Sequence, residues 1–161
     1  MIATSVVGAT AAGAVVLWRR KLRSLPLELA AIACQSVYGG HPVFRFRVRL
    51  GRNRILTQGQ ASVRFIGDGG EVELPIELPS VQACVGPWTL AVLDRDRRCV
   101  GDGQFVVSVR AREGEREWQV SETYPTGTLQ SGRFAAAATL TAAAMTLDAD
   151  HWDAVVAEDG T

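Results

Sequence analysis

From residue 27 onward apolar and polar side chains alternate, and that period of two confines the chain to β-structure. Residues 43–50, VFRFRVRL, put Phe44, Phe46, Val48 and Leu50 on one face of an extended segment and Arg45, Arg47 and Arg49 on the other. Residues 71–78, EVELPIEL, set Val72, Leu74, Ile76 and Leu78 against Glu71, Glu73 and Glu77. Pro75 within that stretch marks an edge position, because it has no N–H to give to a ladder. The same period predicts strands over 27–37, 60–66 (Ala61, Val63 and Phe65 inward), 88–94 (Trp88, Leu90, Val92), 104–110 (Phe105, Val107, Val109) and 116–121 (Trp118, Val120). Turn-forming residues separate them: GGHP at 39–42, GRN at 51–53, GDGG at 67–70, GP at 86–87, REGE at 112–115 and YPTG at 124–127. Short, half-polar strands at this spacing form antiparallel sheets, and two such sheets bury their apolar faces in a sandwich.

At 161 residues there is room for one such domain, 24–150, with short appendages at 1–23 and 151–161. The N-terminal appendage has a different character. Residues 2–18, IATSVVGATAAGAVVLW, carry no charge over seventeen positions and run straight into Arg19, Arg20, Lys21 and Arg23. As a helix this stretch rises about 25 Å, the short limit for a hydrocarbon core of about 30 Å. Trp18 suits the interface, and the Arg and Lys stems can reach back to the headgroups. A cleaved signal peptide needs its positive charges before the apolar stretch, and here they follow it. The expectation is a single transmembrane α-helix with its N-terminus outside and the main domain on the cytoplasmic side of an inner membrane. The odd cysteine count (Cys34, Cys84, Cys99) fits a reducing compartment. Ser5, Ala9 and Gly13, with Gly8 and Ala12 beside them, form a smooth helix face on which another membrane helix can dock.

The formal net charge is zero, but it is split. Residues 1–66 hold ten basic side chains and one acid, Glu28, whereas residues 67–161 hold seven basic and sixteen acidic ones. If 43–50 and 71–78 lie in one sheet, the arginines and glutamates pair across an exposed face, each pair contributing roughly 0.2–1 kcal/mol. The rival use of the arginines is contact with anionic lipid headgroups, for which Arg19–Arg23 are placed by sequence and the 45–54 cluster only if the sandwich lies down on the membrane. Nucleic-acid binding is excluded, because alternation sends the Phe and Arg of RFRVRL to opposite faces and no joint stacking and charge surface results.

In WTLAVLDRDRRCVGDGQF, residues 88–105, Asp94, Asp96 and Asp102 are spaced D-x-D-x(5)-D after an alternating strand. This resembles a calcium loop of the calcium-dependent lipid-binding sandwich domains of the protein kinase C type. The resemblance implies those three aspartates as metal ligands in a peripheral calcium- or lipid-binding module. No second acidic loop stands in 51–59 to complete six to eight oxygen ligands, and Arg95, Arg97 and Arg98 oppose a cation. A polar turn whose Asp and Gly satisfy local geometry is the competing account. The G-x-W opening at 86–88 and the Gly-rich turn are similar to bacterial immunoglobulin-like sandwich modules.

Catalytic machinery is not evident. His41 lies in a Gly-Gly-His-Pro turn, which favours a surface role. His151 lies in LDADHWD, where Asp148 reads as a helix N-cap ahead of Trp152, Val155 and Val156. No G-x-S-x-G, H-E-x-x-H, phosphate loop or C-x-x-C is present, and the cysteine spacings match no zinc pattern. Neither an enzyme activity nor a cofactor is expected, and the cysteines read as buried structural thiols. The Ala-rich stretch 134–147 is too short to span a membrane and leans to strand through Thr139, Thr141 and Thr146. The expected object is a membrane-anchored antiparallel β-sandwich of immunoglobulin-like type. Its expected work is that of a non-catalytic accessory subunit docking on other membrane-protein subunits of a larger complex.

Overall fold

The computed structural model describes residues 27–50, 56–76, 80–84, 87–135, 138–140, 145–147 and 152–157. The expected anchor lies outside the described residues, and with it the docking face Ser5, Gly8, Ala9, Ala12 and Gly13 and the interface residues Trp18, Arg19, Arg20, Lys21 and Arg23. Among the described residues no helix is long and apolar enough to cross a membrane.

The alternating segments are strands. In chain order they are β1 (Leu27–Tyr38), β2 (His41–Leu50), β3 (Leu56–Gly67), β4 (Gly70–Leu74), β5 (Ser80–Cys84), β6 (Trp88–Leu93), β7 (Gly103–Glu113) and β8 (Arg116–Pro125). Short pieces follow: β9 (Gln130–Ser131), β10 (Arg133–Phe134), β11 (Ala138–Leu140), β12 (Met145–Leu147) and β13 (Val155–Val156). One sheet runs β6-β2-β1-β9 and the other β4-β3-β7-β8, with β5 also paired to β3. The protein is thus mainly β, with two sheets packed as a sandwich. Glycines with positive φ at 39 and 40 close the β1–β2 hairpin in two residues, which carries Tyr38 directly opposite His41.

The edge of the second sheet follows from its prolines. β3 pairs with β4 over Val63–Gly67 and with β5 over Leu56–Gln60. The strand expected over 71–78 stops at Leu74, because Pro75 cannot continue the ladder. At the opposite edge, Glu122 of β8 lies across from the core residue Val107 yet remains exposed, a charge on the core-facing side that discourages a further strand from adding there.

The core is the meeting of the two inner faces. Phe44, Phe46, Val48, Leu90 and Val92 come from the first sheet, and Val63, Phe65, Phe105, Val107 and Val109 from the second. Phe105 is its hub, with ring centroids 4.5 Å from Phe44, 5.6 Å from Phe46 and 5.0 Å from Phe65. Tyr124 crosses between the sheets: its ring lies 5.2 Å from Phe46, and its hydroxyl donates to the Ala30 carbonyl at 2.7 Å. That carbonyl falls in an irregularity of β1, where the run Leu29–Ala33 lies against only Val48–Phe46. The extra residues come as an even number, so the inward phase of β1 is kept on both sides of the bulge.

The charge pattern is corrected. β2 and β4 belong to different sheets, so the arginines of 43–50 form no cross-strand ladder with Glu71 and Glu73. Each finds a nearer partner: Arg49 meets Glu28 of β1 at 2.8 Å, and Arg64 of β3 meets Glu71 of β4 at 2.6 Å. Nor is the arginine face of β2 exposed along its length, since Arg47 is only 6% accessible. Phe134 and Trp152, together with Ala30 and Cys34, form a second small core on that outer face. The helix expected after Asp148 is absent where the chain is described: Trp152 and Asp153 form a turn, and Val155–Val156 pair as a strand with Arg133–Phe134. Within 134–147 the strand reading holds for β11 and β12, which pair antiparallel with each other.

Candidate functional site: the loop end and the arginine face

The registers gather four connections at one end of the sandwich. Tyr38 lies opposite His41, Val43 opposite Leu93, Gly67 opposite both Gly70 and Gly103, and Gln104 opposite Pro125. The β1–β2 turn, the β3–β4 turn, the β6–β7 loop (94–102) and the 126–128 turn therefore sit together. The other end holds the start of β1, where Leu27 faces Leu50.

Asp94 organises the 94–102 loop. It is 2% exposed, and its carboxylate oxygens accept from the backbone N–H groups of Arg98 and Cys99, each at 2.9 Å. Its own N–H donates to the Pro42 carbonyl at 2.9 Å, which extends the β2–β6 ladder by one bond. Arg97, at φ +49, sends its guanidinium to the Gly40 carbonyl at 3.3 Å and joins this loop to the β1–β2 turn. The three aspartates singled out by spacing thus occupy different settings. Asp94 is buried and hydrogen-bonded to backbone, while Asp96 and Asp102 are exposed, Asp96 lying 3.9 Å from Arg98. Among the described residues no group of three or more His, Cys, Asp or Glu is arranged to hold a metal ion.

This end exposes three large apolar side chains among charged ones, the arginines of the 94–102 loop and the carboxylates of Asp68, Asp96 and Asp102. Val37, Tyr38 and Val100 are 68%, 72% and 72% exposed, and Arg95, Arg97 and Arg98 are exposed around them. Alternation alone does not reveal Val37 and Tyr38 as surface groups, because it continues through them; the signal is the Gly-Gly turn that follows at once. His41 opens β2 half-buried, with Nδ1 lacking a hydrogen-bond partner among the described residues. His151 and its neighbours Asp148 and Asp150 lie outside the described residues.

The second feature is the covered arginine face. Arg47 donates to the Ala135 carbonyl and lies 5.1 Å from the Phe134 ring centroid. Arg49 lies 4.4 Å from the centroid of Trp152, and Arg45 donates to the Ser36 hydroxyl. Burial pulls the Arg47 guanidinium below its ordinary pKa.

Cys34 and Cys99 are free thiols. Burial raises Cys34 to about 11, against the pull of Arg45 and Arg47. Burial, with the adjacent Asp94 carboxylate, raises Cys99 to about 12. Burial also pushes the Tyr124 hydroxyl up. A thiol whose pKa is raised by folding stabilises the fold below the unfolded value of 9.0, and that contribution is lost as pH rises toward 11 and 12. The urea midpoint is accordingly expected to hold steady up to about pH 9 and to fall between there and pH 11. The double variant Cys34→Ala/Cys99→Ala should show a shallower fall; an unchanged alkaline slope in that variant would remove the thiols as its cause.

No protein-family model matches this chain, and no curated protein matches it.

Proposed function

We propose that this chain is a non-catalytic, membrane-anchored β-sandwich of immunoglobulin-like type, acting as an accessory subunit of a larger inner-membrane protein complex. In this reading residues 2–18 span the bilayer with the N-terminus outside, Arg19–Arg23 hold the cytoplasmic interface, and the sandwich stands on the cytoplasmic side. One observation carries the reading. The chain enters the sandwich at Leu27, at the end opposite the exposed Val37–Tyr38–Val100 tip. β1 separates the two by its whole length, roughly 35 Å at 3.3 Å per residue. An anchor at one end thus points the apolar tip away from its own bilayer and toward another protein. Exposed Tyr38, Val37 and Val100, with arginines on the same end of the sandwich, are residue types that suit a protein interface.

The test is purification of the full chain in mild detergent from its native membrane, beside a Tyr38→Asp/Val100→Asp variant. Both proteins should resist carbonate extraction. The wild type should carry a fixed set of membrane-protein partners, and the variant should lose them. A wild-type chain recovered alone, or the same partners on the variant, contradicts docking through the tip. A chain released by carbonate contradicts the anchor.

A further inference from the structure

The strands at the margins of the two sheets are not alike. β9 is two residues long, the β4–β5 margin is interrupted at Pro75, and β8 carries the exposed Glu122 on its core side. β6 has none of these guards. It pairs with β2 along its whole length without a register shift, and its sequence WTLAVL holds no charge and no proline. The ladder fixes which of its backbone groups are left over. Asp94 N–H donates to the Pro42 carbonyl, so these two residues form a hydrogen-bonded pair; by alternation so do Val92 with Phe44, Leu90 with Phe46 and Trp88 with Val48. The N–H groups of Thr89, Ala91 and Leu93 and the carbonyls of Thr89 and Ala91 therefore point away from β2. The Leu93 carbonyl accepts from Arg95 N–H at 3.1 Å, but those other groups face no paired strand among the described residues. The second sheet also reaches further on this side. Phe44 and Phe46 of β2 meet Phe105 of β7, so β6 stacks on β3 and β4 lies one strand beyond it. A hollow of about 590 Å³ opens beside β4, lined by Ala61, Leu74, Pro75 and Ile76, with Arg98 entering it from the loop that follows β6.

We infer that the lane beside β6 is a strand-addition site, and that it takes an extended segment of a partner subunit as a further strand of the first sheet. Only extended backbone matches a row of alternating donors and acceptors. The side chains of that segment must alternate as well, apolar toward the hollow beside β4 and polar toward solvent. β6 runs up to the loop end, where Leu93 lies opposite Val43, so the lane is continuous with the apolar tip. A second copy does not fit. Two copies pairing β6 with β6 across a two-fold axis run antiparallel, which sets the tip of one beside the anchor of the other. The inference rests on the proposed reading in this respect, that the chain stands anchored with its tip toward another subunit.

The experiment has two parts. In the full chain purified alone in detergent, the amides of Thr89, Ala91 and Leu93 should exchange about a hundredfold faster than those of Leu90 and Val92. Equal protection of both sets overturns the inference, because another part of the chain then holds the margin. In native membranes, photoreactive benzoylphenylalanine replaces Thr89, Ala91 or Leu93 in turn, and Thr123 on the β8 margin as a control. Crosslinks from the β6 positions should fall on one segment of one partner and advance by two residues at each step, and the control should give none there. Crosslinks to this chain or to a second copy, crosslinks without that step, or none at all overturn the inference. Ala91→Pro removes an outward N–H and leaves the bonds to β2 in place, so it should lower the crosslink from position 93 roughly tenfold at an unchanged urea midpoint. If the midpoint falls, Thr89→Pro repeats the test one step along the same margin. An undiminished crosslink in a folded proline variant overturns strand addition. The Tyr38→Asp/Val100→Asp variant separates this inference from the reading it rests on. If it loses the partners while the wild type gives no stepped crosslinks, docking at the tip stands and strand addition fails. Stepped crosslinks that survive in it support strand addition and contradict docking through the tip.

Discussion

Replacing Phe105 by alanine is expected to be the most damaging single change in the sandwich, lowering stability by about 3–5 kcal/mol. Phe105 has no exposed surface, and its ring meets Phe44 and Phe46 of the facing sheet as well as Phe65 beside it in its own sheet. Truncation removes the transfer energy of the ring and opens a void that two sheets, each held rigid by its ladders, cannot fill. It also ends three tilted ring contacts, of a type that adds about 0.5–1.5 kcal/mol per pair. Against a total of about 5–15 kcal/mol for a domain of this kind, the loss approaches the whole margin. Urea denaturation followed by tryptophan fluorescence should show a large fall in midpoint. Phe105→Leu, which keeps much of the volume, should fall between the two. A midpoint for Phe105→Ala close to that of an exposed-site control such as Thr123→Ala would mean that the two sheets are not clamped through this ring.

That core was legible because it needs only alternation. Phe44, Phe46 and Val48 had to share a face, as had Val63 with Phe65 and Phe105 with Val107 and Val109, and burying those faces together requires a sandwich. Pro75 likewise announced a broken edge, and β3 meets two short strands there instead of one long one. Which strands neighbour one another was not legible. Arginine and glutamate stripes complement each other in several arrangements, and here Glu28 takes Arg49 from one stripe while Arg64 takes Glu71 from the other. The arginine face was misread for a related reason. Alternation assigns a residue to a face but says nothing of what covers that face. The cover comes from two-residue strands and single aromatic residues in a stretch too short and too rich in alanine to show a period. At the loop end, the aspartate spacing located a real feature of the sequence. It could not tell a carboxylate that gathers backbone N–H groups from one that gathers a cation, because both uses place acids beside glycine in a tight turn.

Asp94 makes that distinction measurable. Its carboxylate is the acceptor for two backbone donors, Arg98 N–H and Cys99 N–H, in a loop that must turn from one sheet to the other. Asp94→Ala leaves both donors without a partner and should cost about 2–4 kcal/mol, since hydrogen bonds to a charged acceptor are stronger than neutral ones and the site is closed to water. Asp94→Asn retains one acceptor oxygen but turns an NH₂ group toward the other donor, so it should fall between wild type and alanine. Asp96→Ala, which removes only a long and exposed contact to Arg98, should change stability by no more than a few tenths of a kcal/mol. The structural reading carries a further consequence for the tip. Because Arg97 reaches from this loop to the β1–β2 turn, releasing the loop in Asp94→Ala should also speed amide exchange in the Gly39–Gly40 hairpin. A calcium titration of thermal stability completes the comparison. With Asp94 committed to backbone, calcium should leave the wild type and Asp94→Asn equally unmoved. Stabilisation of the wild type by calcium, lost in Asp94→Asn, would make the carboxylate a ligand and return the loop to the calcium-binding role that its spacing resembles.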